Sequence, residues 1–235
     1  MAKETIGSLM KNLISQQRTS YKATVVVVRH GETQWNVEGR WQGRLDSPLT
    51  SRGRDQAQQV RSFLERYPLD AAYSSDAGRA LETARIIVED RRIDVVLEPA
   101  LRERDYGVYE GLTALEIEQC YPGTRFRDMG GSRDTWAPPR GETMLDVRER
   151  VRKFLLTIAD EHAGQIVLAA THSGIVRAVD SLCRKQSFDA IWHRVPQNGV
   201  IYILHASKDG SFERLWDNLP DGELEQFPLV IPSMR

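Results

Sequence analysis

Val25-Val26-Val27-Val28 runs straight into Arg29-His30-Gly31. Four β-branched residues with no polar alternation read as a strand covered on both faces, because a half-exposed strand would place every second side chain in water. Covering both faces takes helices above and below, which points to an α/β fold. The same run ends on two side chains that dislike burial. A buried strand that stops at arginine and histidine must deliver them to a place where they have work to do.

Residues 71–74, 93–97 and 165–170 read as further strands of this kind. Between them lie helical stripes at spacings of three and four: Ala57, Val60 and Leu64 within 51–66; Leu81, Ala84 and Val88 within 77–89; Val147, Val151, Phe154 and Ile158 within 143–161; Ile175, Val179 and Leu182 within 174–184. Thr143 and Asp146 have the spacing of a capping box. Strands alternating with helices imply right-handed crossovers and parallel pairing. Residues 200–204 and 212–216 have no helix between them and are expected to pair antiparallel at one edge. The expected architecture is a three-layer α/β/α sandwich with a mostly parallel central sheet and one antiparallel edge strand. A length of 235 residues, 40% of them hydrophobic, suits one such domain better than two small ones.

Charge and composition narrow the partners. A formal net charge of -1 offers no basic field for nucleic acid or a membrane surface. No apolar run approaches the ~20 residues needed to span a bilayer, and residues 1–22 lack the apolar core of a secretory signal. Cys120 and Cys183 show no metal spacing and read as reduced thiols, so a cytoplasmic location is expected.

In open α/β sheets ligands bind beyond the carboxyl ends of the strands. Arg29 and His30 lie at one such end, Thr171 and His172 at another, and Ser75 to Arg79 follow a third. One rim therefore collects two histidines and two arginines. Gly31 and Gly174, close behind the histidines, are expected to permit tight turns and close approach of an anion to backbone N–H groups. Guanidinium forks match phosphate oxygens. A histidine among them is held neutral and nucleophilic. Arginines repel a metal cation. The set reads as metal-independent phosphoryl transfer through a phosphohistidine.

Arg29-His30-Gly31-Glu32-Thr33 resembles the signature of the histidine phosphatase superfamily, the phosphoglycerate mutase-like proteins. The likeness continues in order through NVEGRWQGRLDSPLTSRGRDQA (36–57), SSDAGRALETA (74–84), ALRERDYGVYEG (100–111), WAPPRGETMLDVRERV (136–151) and ATHSGIVRAV (170–179). It implies residues 23–235 as one histidine phosphatase domain and residues 1–22 as an extension outside the match. For that extension disorder, a small amphipathic helix and a homodimer contact all remain open. The resemblance also implies roles. His30 attacks phosphorus through one ring nitrogen while the other bonds a backbone carbonyl. Arg29, Arg79 and His172 hold the non-bridging oxygens, with Asn36, Gln42 and Ser173 as further substrate contacts. Glu103 protonates the leaving alkoxide and then deprotonates water. Neither a cofactor nor a metal is implied, and the partner is a small phosphomonoester.

The implied activity is phosphomonoester hydrolysis. A phosphoglycerate mutase is the alternative, and an inactive fold used as a binding module is a second. Mutases of the family carry a lysine shortly after the block containing Tyr106 and Gly107, where this chain has Ala114. Residues 113–139 are expected to cover the site. Their Arg125, Arg127 and Arg133, with Arg140 beyond, could meet a second anion or face solvent, and Trp136 and Trp192 could be core or pocket wall. Glu32 and Glu142 are expected to serve in structural hydrogen bonds, and His162, His193 and His205 to lie outside the chemistry.

Overall fold

The computed structural model of the chain describes residues 22–65 and 67–219. All of the extension except Lys22, and the last 16 residues of the expected domain (220–235), lie outside the described residues. In chain order the elements are β1 (Lys22–Arg29), α1 (Gln34–Glu38), α2 (Ser51–Leu64), β2 (Ala71–Ser74), α3 (Gly78–Val88), β3 (Val95–Leu97), α4 (Ala114–Cys120), α5 (Phe126–Met129), α6 (Met144–Glu161), β4 (Ile166–Thr171), α7 (Ser173–Arg184), α8 (Phe188–Ile191), β5 (Ile201–Ser207) and β6 (Phe212–Asp217). One six-stranded sheet has the order β3-β2-β4-β1-β5-β6.

The valine run explains the layers. Successive side chains of a strand point to opposite faces. Val25 and Val27 join an apolar cluster with Val147, Val151 and Phe154 of α6 and Ile175 and Val179 of α7. Val26 and Val28 join a second cluster with Val60 and Leu64 of α2 and Ile87 and Val88 of α3. All four valines are buried, so the strand is covered on both sides as the missing alternation requires.

β1 pairs parallel with β4, β4 with β2, and β2 with β3. β5 runs antiparallel to β1, and β6 antiparallel to β5. The reversed strand therefore lies one place in from the edge, and β6 outside it completes an antiparallel ribbon. The third strand is shorter than expected. It begins at Val95 rather than Ile93, because only Ala72–Ser74 of β2 offers it ladder partners. Helices α1, α4, α5 and α8 are too short to show an apolar stripe and escape a reading by periodicity. The capping box at Thr143 and Asp146 opens α6 as expected. Among the described residues no helix is long and apolar enough to cross a membrane.

The topology places the carboxyl ends of β1, β4 and β2 side by side. Arg29 is paired with Thr171, and Val28 and Ser74 both lie opposite Ala170.

Candidate active site

His30 follows β1 directly, and its backbone N–H donates to Thr171 O at 2.8 Å, which ties it to the end of β4. Its side chain is buried. Nδ1 lies 2.7 Å from Gly31 O. A carbonyl can only accept, so Nδ1 carries the proton and Nε2 keeps its lone pair. Burial, then the charges of Arg79 and Arg29, hold this imidazole well below the usual histidine range. It is neutral at physiological pH, and the Nε2 lone pair is the one left unprotonated.

His172 follows β4 and forms the N-cap of α7. Its ring centroid is 5.2 Å from that of His30. Nε2 lies 2.8 Å from Ser75 Oγ, which follows β2 and also accepts from Ala77 N. The assignment that satisfies these groups has the Ser75 hydroxyl donating to Nε2 and the His172 proton on Nδ1. That nitrogen is buried and has no partner among the described residues. Burial, with Arg79 and His30 adding to it, keeps this ring neutral as well.

The two arginines are fixed by carbonyls. Arg29 Nη1 donates to Pro196 O. Arg79, on the first turn of α3, donates through Nη1 to Leu45 O at 2.7 Å and Asp46 Oδ1 at 2.9 Å, and through Nη2 to Gly43 O at 2.9 Å. Glu82 and Glu110 are not its partners: Glu82 pairs with Arg54, and Glu110 accepts from the backbone of Arg44 and Tyr106. Burial lowers Arg29 to about 10, which leaves it charged at neutral pH. Nε of both arginines is buried without a partner among the described residues. Together with His172 Nδ1 they are three buried, unpartnered donors around His30, a set able to meet phosphoryl oxygens.

Glu103 is buried beside the N-terminus of α7. Oε1 accepts from Arg104 N at 2.8 Å and Gly174 N at 3.0 Å, and Oε2 accepts from Ser173 Oγ at 3.0 Å. The first N–H groups of a helix lack intrahelical partners. Here Glu103 satisfies one of them and is held rigidly in return. Its neighbours in sequence are spent on scaffolding. Arg104 donates to Glu142 O and Trp136 O, while Glu142 accepts from Asp105 N and Arg150. Glu142 is structural, as expected, and Glu32 accepts from the Thr50 hydroxyl.

A cavity of about 300 Å³ is lined by Arg29, His30, Arg79, Glu103, Asn36, Gln42 and Ser173, among others. His172 does not line it, but its ring packs edge-on against that of His30. The structure therefore brings the other catalytic and substrate-binding residues named from the sequence to one cavity, with His172 beside it. Ser173 serves Glu103 directly. Asn36 Oδ1 is occupied by Thr33 and by Asn198 Nδ2, which also donates to His30 O. Several lining or supporting residues were not read from the sequence, among them Ser75, Asn198, Trp41 and Arg177. Ser75 sets the His172 tautomer, and Asn198 braces the His30 loop. Trp41 and Arg177 line the cavity. Arg177 could have been found: it lies four residues after Ser173, hence on the same face of α7. Burial also lowers it to about 10, and it has no carboxylate partner among the described residues.

The glycines do something other than expected. Gly31 N donates to the Thr83 hydroxyl and Gly174 N to Glu103, so neither N–H is available to an anion. Their smallness is what matters. A Cβ at Gly31 would lie 2.1 Å from Gly53 O, where α2 packs backbone to backbone against the loop after His30. Gly31→Ala is expected to cost about 1–3 kcal/mol, as overpacking does. Differential scanning calorimetry would show Tm falling by about 2–4 °C per kcal/mol. An unchanged Tm would mean that this backbone contact yields freely.

Residues 25–219 match the histidine phosphatase superfamily (branch 1). Phosphoglycerate mutase-like protein 4 of Arabidopsis thaliana is 37% identical over 159 residues, spanning 67% of this chain and 69% of that protein. Phosphoserine phosphatase 1 of Hydrogenobacter thermophilus is 31% identical over 181 residues, 77% of this chain and 85% of that one. The solved structure of YhfR from Bacillus stearothermophilus superposes with a TM-score of 0.74 at 35% identity, covering 86% of this chain and 98% of that one. The matched span contains the whole rim built from β1, β2 and β4, and the chain accordingly belongs to the histidine phosphatase superfamily, as an enzyme of the phosphatase type.

Proposed function

We propose that the chain hydrolyses a phosphorylated metabolite without a metal, through a phosphohistidine at His30. The observation that carries this is the pinned tautomer: Nδ1 is held by Gly31 O, and the Nε2 lone pair is left among Arg29, Arg79 and Glu103. In the reading, Arg29, Arg79 and His172 Nδ1–H bind the non-bridging oxygens, with Asn36, Gln42 and Arg177 completing the cradle. His30 Nε2 attacks phosphorus, and the bond from phosphorus to the ester oxygen breaks. Glu103 Oε2 gives its proton to the departing alkoxide. Glu103 then takes a proton from water, whose oxygen attacks the phosphohistidine. Inorganic phosphate and neutral His30 result. The fixed cations supply the charge stabilisation that a metal supplies in other phosphoryl-transfer sites. Among the described residues no three His, Cys, Asp or Glu side chains are grouped to hold a metal ion. The free thiols of Cys120 and Cys183 accord with a cytoplasmic setting.

A phosphate-release screen over a panel of phosphomonoesters tests this reading. Release is expected for at least one ester, and dialysis against a strong chelator is expected to leave the rate intact. With 3-phosphoglycerate and catalytic 2,3-bisphosphoglycerate, little 2-phosphoglycerate is expected, since the exposed Ala114 opens α4 where a mutase carries lysine. Silence across the panel, a loss restored by magnesium or zinc, or isomerisation faster than release would each overturn it.

A further inference from the structure

A second cavity, of about 280 Å³, adjoins the phosphate cradle and shares Trp41, Tyr106 and Trp192 with it as common walls. From that shared wall a run of aromatic rings leads away from the chemistry. Trp41 meets Tyr106 edge-on at 4.8 Å and Tyr109 at 5.7 Å. Tyr109 lies 6.5 Å from Trp136, and Trp136 meets Phe126 edge-on at 5.9 Å. The Tyr109 hydroxyl is tied to Thr124 and its ring is fully buried, so it backs the rings of Trp41 and Trp136. Trp136 Nε1 is a buried donor with no partner among the described residues, which suits one uncharged acceptor on a ligand.

Four arginines also line this chamber, and their state decides what it can take. Arg125 and Arg127 both pair with Glu118, and Arg133 pairs with Asp189. Arg104 is spent on the carbonyls of Trp136 and Glu142, and its guanidinium lies over the Trp136 ring at 5.0 Å. Arg133 lies over Phe126 at 4.3 Å and over Trp192 at 5.2 Å. Arg127 also lies beside Asp128, so Arg125, Arg127 and Arg133 face three carboxylates, while Arg104 is buried on its carbonyls and lies, like Arg133, against a ring. A carboxylate or second phosphate entering here would lose its water and meet guanidinium groups already engaged. A planar apolar group would bury its faces against tryptophan, tyrosine and phenylalanine.

We propose that the alcohol half of the substrate is a bulky, planar, uncharged group, aryl or heteroaryl, seated in this aromatic chamber while its phosphate occupies the cradle. The proposal rests on the phosphomonoesterase reading for its reaction, but the chamber can be tested by binding alone. Phosphonates carry a carbon in place of the ester oxygen and cannot be hydrolysed. The intact protein would be titrated calorimetrically with 2-(2-naphthyl)ethylphosphonate, the carbon analogue of 2-naphthylmethyl phosphate, and with 3-phosphonopropionate, which share the anion and differ in the group attached. The naphthyl compound is expected to bind about 100-fold more tightly, the scale of burying one aromatic bicycle among rings. Phe126→Ala is expected to reduce that ratio about tenfold. Because both ligands need the cradle, the ratio is insensitive to a fraction of misfolded protein, and Arg133→Met provides a second wall variant. Equal or tighter binding of 3-phosphonopropionate, a ratio unmoved by both variants, or binding of neither ligand would overturn the chamber. Turnover separates the two readings. If the naphthyl phosphonate binds tightly but 2-naphthylmethyl phosphate releases no phosphate, hydrolysis is wrong and the chamber stands. If 2-naphthylmethyl phosphate and 3-phosphoglycerate are hydrolysed with equal kcat/KM, the chamber is wrong and hydrolysis stands.

Discussion

His30→Ala is expected to lower turnover by about 10⁴–10⁶-fold, the range seen when a covalent nucleophile is removed. No neighbour can take over. His172 Nε2 is held by Ser75, and in the proposed mechanism its protonated Nδ1 is a phosphate donor. The remaining donors can still bind substrate, so KM should change far less than kcat. Rapid quench of the native enzyme with a labelled phosphomonoester should trap label that is lost in acid and kept in base, as a phosphohistidine requires. The variant should trap none. His30→Asn is a useful companion, because its amide can still donate to Gly31 O and preserve the loop. A variant with near-native rate, or label that survives acid, would remove His30 from the nucleophile's role.

Glu103→Gln is expected to slow hydrolysis of alkyl phosphates by about 10²–10⁴-fold, the usual worth of a positioned general acid. The geometry makes this substitution clean. The amide oxygen can replace Oε1 and accept from Arg104 N and Gly174 N, and the amide nitrogen occupies the place of Oε2 beside Ser173. Position is kept and the transferable proton is lost. An activated aryl phosphate departs as a stable phenolate and needs little protonation, so its burst phase should suffer much less. Equal losses on alkyl and aryl esters in the burst would instead make Glu103 a binding group.

The valine run, the helical stripes and the order of elements determined the layers and the parallel core of the sheet. These features depend on near-neighbour backbone geometry and on which faces are apolar, and both are written locally. Strand-end logic also puts Arg29, His30 and His172 on one rim, because a parallel sheet points its carboxyl ends one way. Glu103 was different. Nothing local separates it from Arg102, Arg104 and Asp105, and only the resemblance to the family singled it out. In the fold its carboxylate accepts from Ser173 and Gly174 at the N-terminus of α7, a contact between segments far apart in the chain. Gly31 was named correctly for the wrong reason, since its crowding comes from Gly53 on another element. The basic residues of the covering segment could not be read at all. Arg125, Arg127 and Arg133 look available in the sequence, and tertiary structure spends them on Glu118 and Asp189. Trp41, Tyr106, Trp136 and Trp192 form one chamber only because four separate loops converge on it. Local periodicity builds the scaffold, whereas pocket shape and free charge are sums over long-range contacts, and those exist only once the chain has folded.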